Sequence, residues 1–127
     1  MDKNFEQIVD QYARGLVEVV VDDQRLEGWI AYKLPDAELD NPDQAIFLLV
    51  KHDSLPLLID VACDPKLATN LRTKYESVVP SKLMDERSWN RVICSGQLNQ
   101  QEVLDLVNLN YQLIARQLGI KIGRAHV

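Results

Sequence analysis

The hydrophobic positions of the chain follow a helical period at its start and a strand-like alternation after it. An apolar stripe at three- and four-residue spacing predicts one amphipathic helix, made of Phe5, Ile8, Val9, Tyr12, Ala13 and Leu16. The segment that follows, LVEVVV at residues 16–21, could continue the helix or form a strand, because Val17, Val19 and Val21 also alternate as in a strand. Asp22-Asp23 then predicts a turn.

Three strand-length segments follow in the first half of the chain. Residues 26–34 (LEGWIAYKL) alternate and carry aromatic and β-branched side chains, as is typical of a strand. Residues 35–43 contain two prolines and predict a polar loop. Residues 45–52 (AIFLLVKH) and 55–63 (LPLLIDVAC) are apolar runs with a few polar residues between them, which predicts a β-hairpin.

Two helices and two short strands are predicted in the second half. Asp64-Pro65 combines a good N-cap with a residue suited to the first helical position. Residues 77–84 and 88–94 are expected to form strands, separated by a polar turn. Asn99 followed by Glu102 resembles a capping box, so we expect a helix from there to about Leu118, with Gly119 as its stop.

These elements give the order α-β-β-β-α-β-β-α and predict the α+β class. Hairpin-linked strands imply an antiparallel sheet of about five strands, with helices packed against it. A chain of 127 residues suits one domain. We expect that domain to span residues 1–118, with residues 119–127 as a C-terminal tail.

Composition suggests a protein of a reducing cytoplasm. No apolar run approaches the ~20 residues that a membrane-spanning helix needs, and the acidic N-terminus is unlike a signal peptide, so we expect no membrane partner. Two cysteines without a secretion signal predict free thiols rather than a disulfide framework. We expect Cys63 and Cys94 to be buried packing residues. The alternative for Cys63 is a thiolate favoured by the helix start beside it.

The net charge of −5 argues against strong non-specific binding of nucleic acid, but the charge is unevenly distributed. Residues 1–64 carry 5 Lys/Arg and 14 Asp/Glu, whereas residues 65–91 carry 6 Lys/Arg and 3 Asp/Glu. An acidic protein with one local basic face is consistent with these counts.

Signatures of catalysis are missing from the sequence. It contains no G-x-G-x-x-G, P-loop, G-x-S-x-G or H-E-x-x-H pattern. His52 and His126 have no neighbour at metal-ligand spacing. We therefore expect no enzyme, no catalytic residue, no metal and no cofactor.

One basic segment has the residue types of a nucleic-acid contact. Arg and Lys bind phosphates, Asn can hydrogen-bond an adenine edge, and Trp can stack on a base. The candidate contact residues are Lys82, Arg87, Ser88, Trp89, Asn90 and Arg91. The competing interpretation is structural, with Trp89 as a core residue of the last strand and Asn90 serving the turn.

Several of these motifs occur together in a known family. The segments Cys63-Asp64-Pro65, Val79-Pro80 and Trp89-Asn90-Arg91-Val92, followed by a long final helix, make residues 45–118 similar to the MmcQ/YjbR family. The resemblance implies a small α+β domain with a fold like that of frataxin/CyaY and of type III secretion chaperones. It also implies a DNA-binding label that rests on a proposed double-wing arrangement of the sheet.

The sequence departs from the pattern of this family at two places. LVEVVVDDQRLEG replaces a phe-pro-phe-gly-like segment, and Arg87-Ser88 replaces a basic residue followed by His.

Three functional hypotheses follow from the residues and the resemblance. The first is a DNA-binding protein without enzymatic activity. The second is a protein-interaction module, like a secretion chaperone, that binds a protein partner or forms a homodimer. The third is a frataxin-like metal binder that uses the acidic N-terminal half, where Glu6, Asp10, Glu18, Asp22 and Asp23 lie.

Overall fold

Three helices and six strands form the part of the chain that the computed structural model describes, residues 4–35 and 39–120. In chain order they are α1 (Asn4–Arg14), β1 (Val20–Leu26), β2 (Trp29–Lys33), β3 (Ile46–Lys51), β4 (Leu57–Ala62), α2 (Pro65–Lys74), β5 (Val78–Pro80), β6 (Trp89–Cys94) and α3 (Gln100–Gln117). A short 3₁₀ turn, Pro42–Ala45, precedes β3. The α+β class predicted from the sequence is confirmed.

All six strands form one sheet in the order β1-β2-β3-β4-β6-β5, and each neighbouring pair is antiparallel. The register aligns Tyr32, Leu48, Val61 and Asn90 in one row across the four central strands. Tyr32 donates a hydrogen bond to Asp10 of α1, and Asn90 donates one to a carbonyl of α2. Because side chains in one row share a face, these contacts place α1 and α2 on the same face of the sheet.

The long helix α3 packs on the two central strands β3 and β4. Phe47 meets Tyr111 of this helix edge to face, with ring centroids 5.4 Å apart. This helix-covered face holds the main core, with Val50, Ile59 and Val92 all fully buried. Within the described residues, no helix is long and apolar enough to cross a lipid bilayer.

The first strand of the sheet was not predicted as such. Residues 20–26 form β1, so Asp22-Asp23 lies within a strand rather than in a turn. The turn comes later, at Gly28, whose φ of +83° suits glycine. β1 is an edge strand with an irregular register between Asp22 and Leu26. Both features explain why the sequence pattern did not predict β1 as a strand. An edge strand tolerates charged side chains, and an irregular strand does not alternate between apolar and polar residues.

The fifth strand is shorter than predicted. Residues 77–84 were expected to be a strand, but β5 contains only Val78–Pro80. Pro80 has no N–H to donate, and β5 pairs only with β6 at the edge of the sheet. Just after it, the Ser81 hydroxyl accepts hydrogen bonds from the N–H groups of Leu83 and Met84. These bonds stabilise a loop, residues 81–88, in place of further strand.

Both predicted helix starts are confirmed. The Asp64 side chain accepts hydrogen bonds from the first two N–H groups it can reach in α2, those of Lys66 and Leu67. Asn99 and Glu102 form a complete capping box at α3. Gly119, with a φ of +69°, follows the end of α3 as expected. Residues 121–127 of the predicted tail lie outside the described residues.

Candidate functional site

The six candidate contact residues lie in two different environments. Lys82, Arg87 and Ser88 belong to the loop between β5 and β6, whereas the other three begin β6. The side chains of Lys82 and Arg87 are exposed, and that of Ser88 is half-buried. The loop can therefore contact a polyanion.

Trp89 and Asn90 are buried within the domain. Trp89 is 6% exposed and Asn90 is fully buried, with its amide donating a 3.1 Å hydrogen bond to the Ala68 carbonyl of α2. A base can neither stack on this indole nor reach this amide in the folded protein. For these two residues the competing interpretation, a structural role, agrees with the structure, although Asn90 contacts α2 rather than a turn.

Arg91 is also engaged within the protein. Its Nε and Nη2 donate hydrogen bonds of 2.8 and 3.2 Å to the two carboxylate oxygens of Asp60, a fully buried residue of β4. Ser81 donates a third hydrogen bond, of 2.7 Å, to the same carboxylate. The charge of Arg91 thus compensates a buried carboxylate, and that carboxylate anchors the 81–88 loop through Ser81.

The charge of Arg87 is partly compensated as well. Its guanidinium lies 3.1 Å from the carboxylate of Asp85, and both side chains are well exposed. Hydrogen bonds from Arg87 lower the pKa of the Asp85 carboxyl. Lys82 forms no ion pair with any described residue. Of the six candidates, Lys82 is therefore the cation most available to an anionic ligand.

Helix α2 carries three further cations that were not among the candidates, and one of them, Arg72, contacts this loop. Lys66 and Lys74 are exposed, Arg72 is half-buried, and none of the three forms an ion pair within the described part of the chain. Arg72 donates a 2.9 Å hydrogen bond to the carbonyl of Glu86, which joins the helix to the loop. We call the set of Lys66, Arg72, Lys74, Lys82 and Arg87 the basic surface. The charge excess of residues 65–91 was its signal in the sequence, but the contact between helix and loop was not visible there.

A second group of side chains lies on the other face of the sheet. Trp29, Leu58, Asp60, Arg91 and Ile93 share this face, because strand alternation and register place them opposite the helix-facing row. No helix in the described chain packs there, and we call it the open face. No local sequence pattern could have revealed this group, because its members come from three strands.

A cavity of about 800 Å³ opens between the end of α3 and two loops. Its walls include Cys63, Met84, Trp89 and Leu118. Burial raises the pKa of the Cys63 thiol to about 11, so this group stays protonated near neutral pH. The alternative of a reactive Cys63 thiolate at the helix start is therefore wrong.

Cys94 is buried as well, and burial raises the pKa of its thiol to about 12. Both cysteines are free. Their predicted role in packing is confirmed.

The acidic residues of the N-terminal half are dispersed among separate partners. Glu6 pairs with His52, and Asp10 pairs with Arg14. Asp22 lies 3.6 Å from the ammonium of Lys33. Among the described residues, no three His, Cys, Asp or Glu side chains come together in a way that could hold a metal ion. The arrangement gives no support to the metal-binding hypothesis.

Comparison with known proteins connects the chain to uncharacterised relatives. No protein-family model matches it. It is 27% identical over 70 residues to the uncharacterised protein YjbR of Escherichia coli, in strain K12 and in strain O157:H7 alike. This match covers 55% of the chain and 59% of the relative.

Two solved structures share the fold. A Deinococcus radiodurans protein with the domain DUF419 superposes with a TM-score of 0.77 at 15% identity, over 94% of this chain and 91% of that one. A Pseudomonas syringae protein superposes with a TM-score of 0.64 at 21% identity, over 90% of this chain and 99% of that one. At these identities the likeness shows the fold alone. Together the matches support a YjbR-like α+β protein.

Proposed function

We propose that this domain acts by binding rather than by catalysis, and that it binds nucleic acid weakly through the phosphate backbone. The observation that carries this proposal is the basic surface. Four of its cations, on α2 and the adjoining loop, have no carboxylate partner within the described residues. On a chain with a net charge of −5, this is where a polyanion would meet the least repulsion.

Binding through the phosphate backbone of DNA follows from the absence of exposed base-contacting side chains among the candidate residues. Trp89 and Asn90, which could have stacked on a base or read its edge, are buried. The cations that remain exposed can neutralise phosphates but carry little sequence information. The proposed DNA contact is thus independent of sequence and dependent on salt.

The test is fluorescence anisotropy of labelled duplex and single-stranded DNA, measured from low to physiological salt. We expect weak binding with a log–log salt slope of about −3 to −4, since about four phosphates would be neutralised. Lys66→Gln and Lys82→Gln should each flatten the slope by about one unit. The matched control is Arg116→Gln, which removes an exposed charge from α3 and should leave the slope unchanged.

Absence of binding at low salt and micromolar protein would overturn the DNA proposal. So would equal losses of affinity in Lys82→Gln and Arg116→Gln, because non-specific attraction to net charge would then explain the result.

A protein-interaction role is the second candidate, and the open face of the sheet favours it. Leu58, Val79 and Ile93 are apolar and only partly buried there, beside Trp29 and Arg91. Trp and Arg are the residue types that most often dominate the energy of protein interfaces. Light scattering over a range of concentrations would reveal the homodimer version of this role, and its salt dependence should be weak, because apolar burial would drive association.

A further inference from the structure

The indole of Trp29 on the open face is flanked by two cations. The guanidinium carbon of Arg91 lies 5.0 Å from the ring centroid, and the ammonium of Lys51 lies 5.8 Å from it. Trp29 belongs to β2 and Arg91 to β6, so β3 and β4 run between them. The two side chains must therefore reach toward each other across the sheet.

Two residues beside this contact across the sheet are unexpectedly buried. Leu49 and Asp60 lie on the face that no described helix covers, yet they are 1% and 0% exposed. They occupy the same row as Arg91 on the strands between it and Trp29. Arg91 and Ser81 both contact the Asp60 carboxylate, so the guanidinium and the 81–88 loop lie over this part of the face together.

The two cations differ in how they are compensated. Arg91 is matched by Asp60 through Nε and Nη2, and its Nη1 makes no hydrogen bond within the described residues. Lys51 is half-buried and has no ion pair with any residue that the structure describes. The cluster therefore carries one uncompensated positive charge.

The Lys51 ammonium is held in place by its surroundings. It packs against the Trp29 ring and against the backbone of Gly28, where an added Cβ would lie 2.7 Å from Nζ. Lys51 is the direct cross-strand partner of Trp29. A positioned, partly desolvated ammonium that has no carboxylate partner is stabilised by an anion bound beside it.

We propose that Trp29, Lys51 and Arg91 form a binding site for the carboxylate of a small organic acid. Lys51 binds the carboxylate beside the Trp29 ring, which Arg91 also contacts. Leu58 and Ile93, paired with each other on the same face, contact the apolar part of the ligand. A single uncompensated charge matches a monocarboxylate better than a phosphate dianion.

The site is separate from the basic surface, so its test is independent of DNA binding. The full chain is titrated with sodium benzoate, and the indole N–H signals of Trp29 and Trp89 are followed by two-dimensional NMR. Acetate serves as the probe without an apolar body, and inorganic phosphate as the dianionic probe. We expect the Trp29 signal to move saturably with benzoate in the millimolar range, as suits a ligand with so few atoms, while the signal of the buried Trp89 stays still.

Two variants locate the carboxylate. Lys51→Met keeps the aliphatic stem and should weaken benzoate binding by about tenfold, whereas Lys66→Met on α2 should leave it unchanged. Gly28→Ala retains the charge but forces the ammonium to move, and it should weaken binding as well. The proposal is overturned if the Trp29 signal does not saturate with benzoate, if Lys51→Met binds benzoate as tightly as the unmodified protein, or if phosphate binds more tightly than benzoate.

Discussion

The ion pair between Asp60 and Arg91 provides a sharp test of how the open face is built. Asp60 is fully buried in the central strand β4, and the side chain of Arg91 is only 15% exposed. Replacing Arg91 with Met keeps a side chain of similar length but leaves the carboxylate without its charged partner. We expect a large loss of stability, because a buried charge without compensation is among the costliest defects in a folded protein.

The size of the stability loss in Arg91→Met follows from the hydrogen bonds that the Asp60 carboxylate accepts. Arg91 provides two of the three hydrogen bonds to the Asp60 carboxylate, and the bond from Ser81 remains. Removing one partner of a buried pair costs about 3–5 kcal/mol. The remaining bond and the slight exposure of Arg91 favour the lower end, about 3 kcal/mol. For a domain of this size, such a loss lowers the melting temperature by about 10 °C.

The assay is urea unfolding at neutral pH, followed by circular dichroism. Arg87→Met is the matched control, since it breaks a 3.1 Å ion pair with Asp85 in which both side chains are exposed. This variant should not change the urea midpoint measurably. The double variant Asp60→Leu/Arg91→Met should recover much of the loss, because an apolar pair avoids the desolvation of both charges. A cost below about 1 kcal/mol for Arg91→Met, or additive costs in the double variant, would refute this reasoning.

Three further predictions concern caps, pH and thiols. Asn99→Ala should destabilise the protein by about 1 kcal/mol in thermal melts, whereas Asn99→Asp should not, because Asp can still cap α3. The hydrogen bond to Glu6 raises the pKa of His52 above 6.5. The stability lost in Glu6→Gln should therefore be greatest below pH 6.5 and vanish as the pH rises through the raised pKa, in unfolding measured across pH. Cys63 and Cys94 should resist a thiol reagent in the native protein and react fully in urea; rapid native labelling would contradict their burial.

The sequence predicted those parts of the fold that depend on local chemistry. Asp64 and Asn99 open helices because their side chains bind nearby N–H groups, an interaction that spans only two or three residues. The β3–β4 hairpin was visible because both strands are buried apolar runs. β1 was missed because an edge strand needs neither burial nor regular alternation, and its pairing with β2 decides its structure.

The candidate site could be predicted only in part, since the sequence shows which charges exist but not which are compensated. Lys82, a predicted contact residue, is an exposed cation. Arg91 has the same formal charge, but its partner Asp60 lies 31 residues away and becomes a neighbour only when β4 pairs with β6. Trp29 and Lys51 meet through the register of β2 with β3. Contacts that depend on strand pairing leave no local pattern.

The same distinction between formal and uncompensated charge limits how strongly the domain can bind DNA. Residues 65–91 contain six cations, but Arg91 is matched by Asp60 and Arg87 by Asp85. The four that remain correspond to a salt slope of about −3.6 on duplex DNA and roughly −3 on a single strand. Release of Arg87 from Asp85 would bring the duplex slope to about −4.5, and a slope of about −5.4 would also require Arg91 to leave the buried carboxylate of Asp60. The measured slope thus reports directly whether Arg91 stays in the sheet or contacts the ligand.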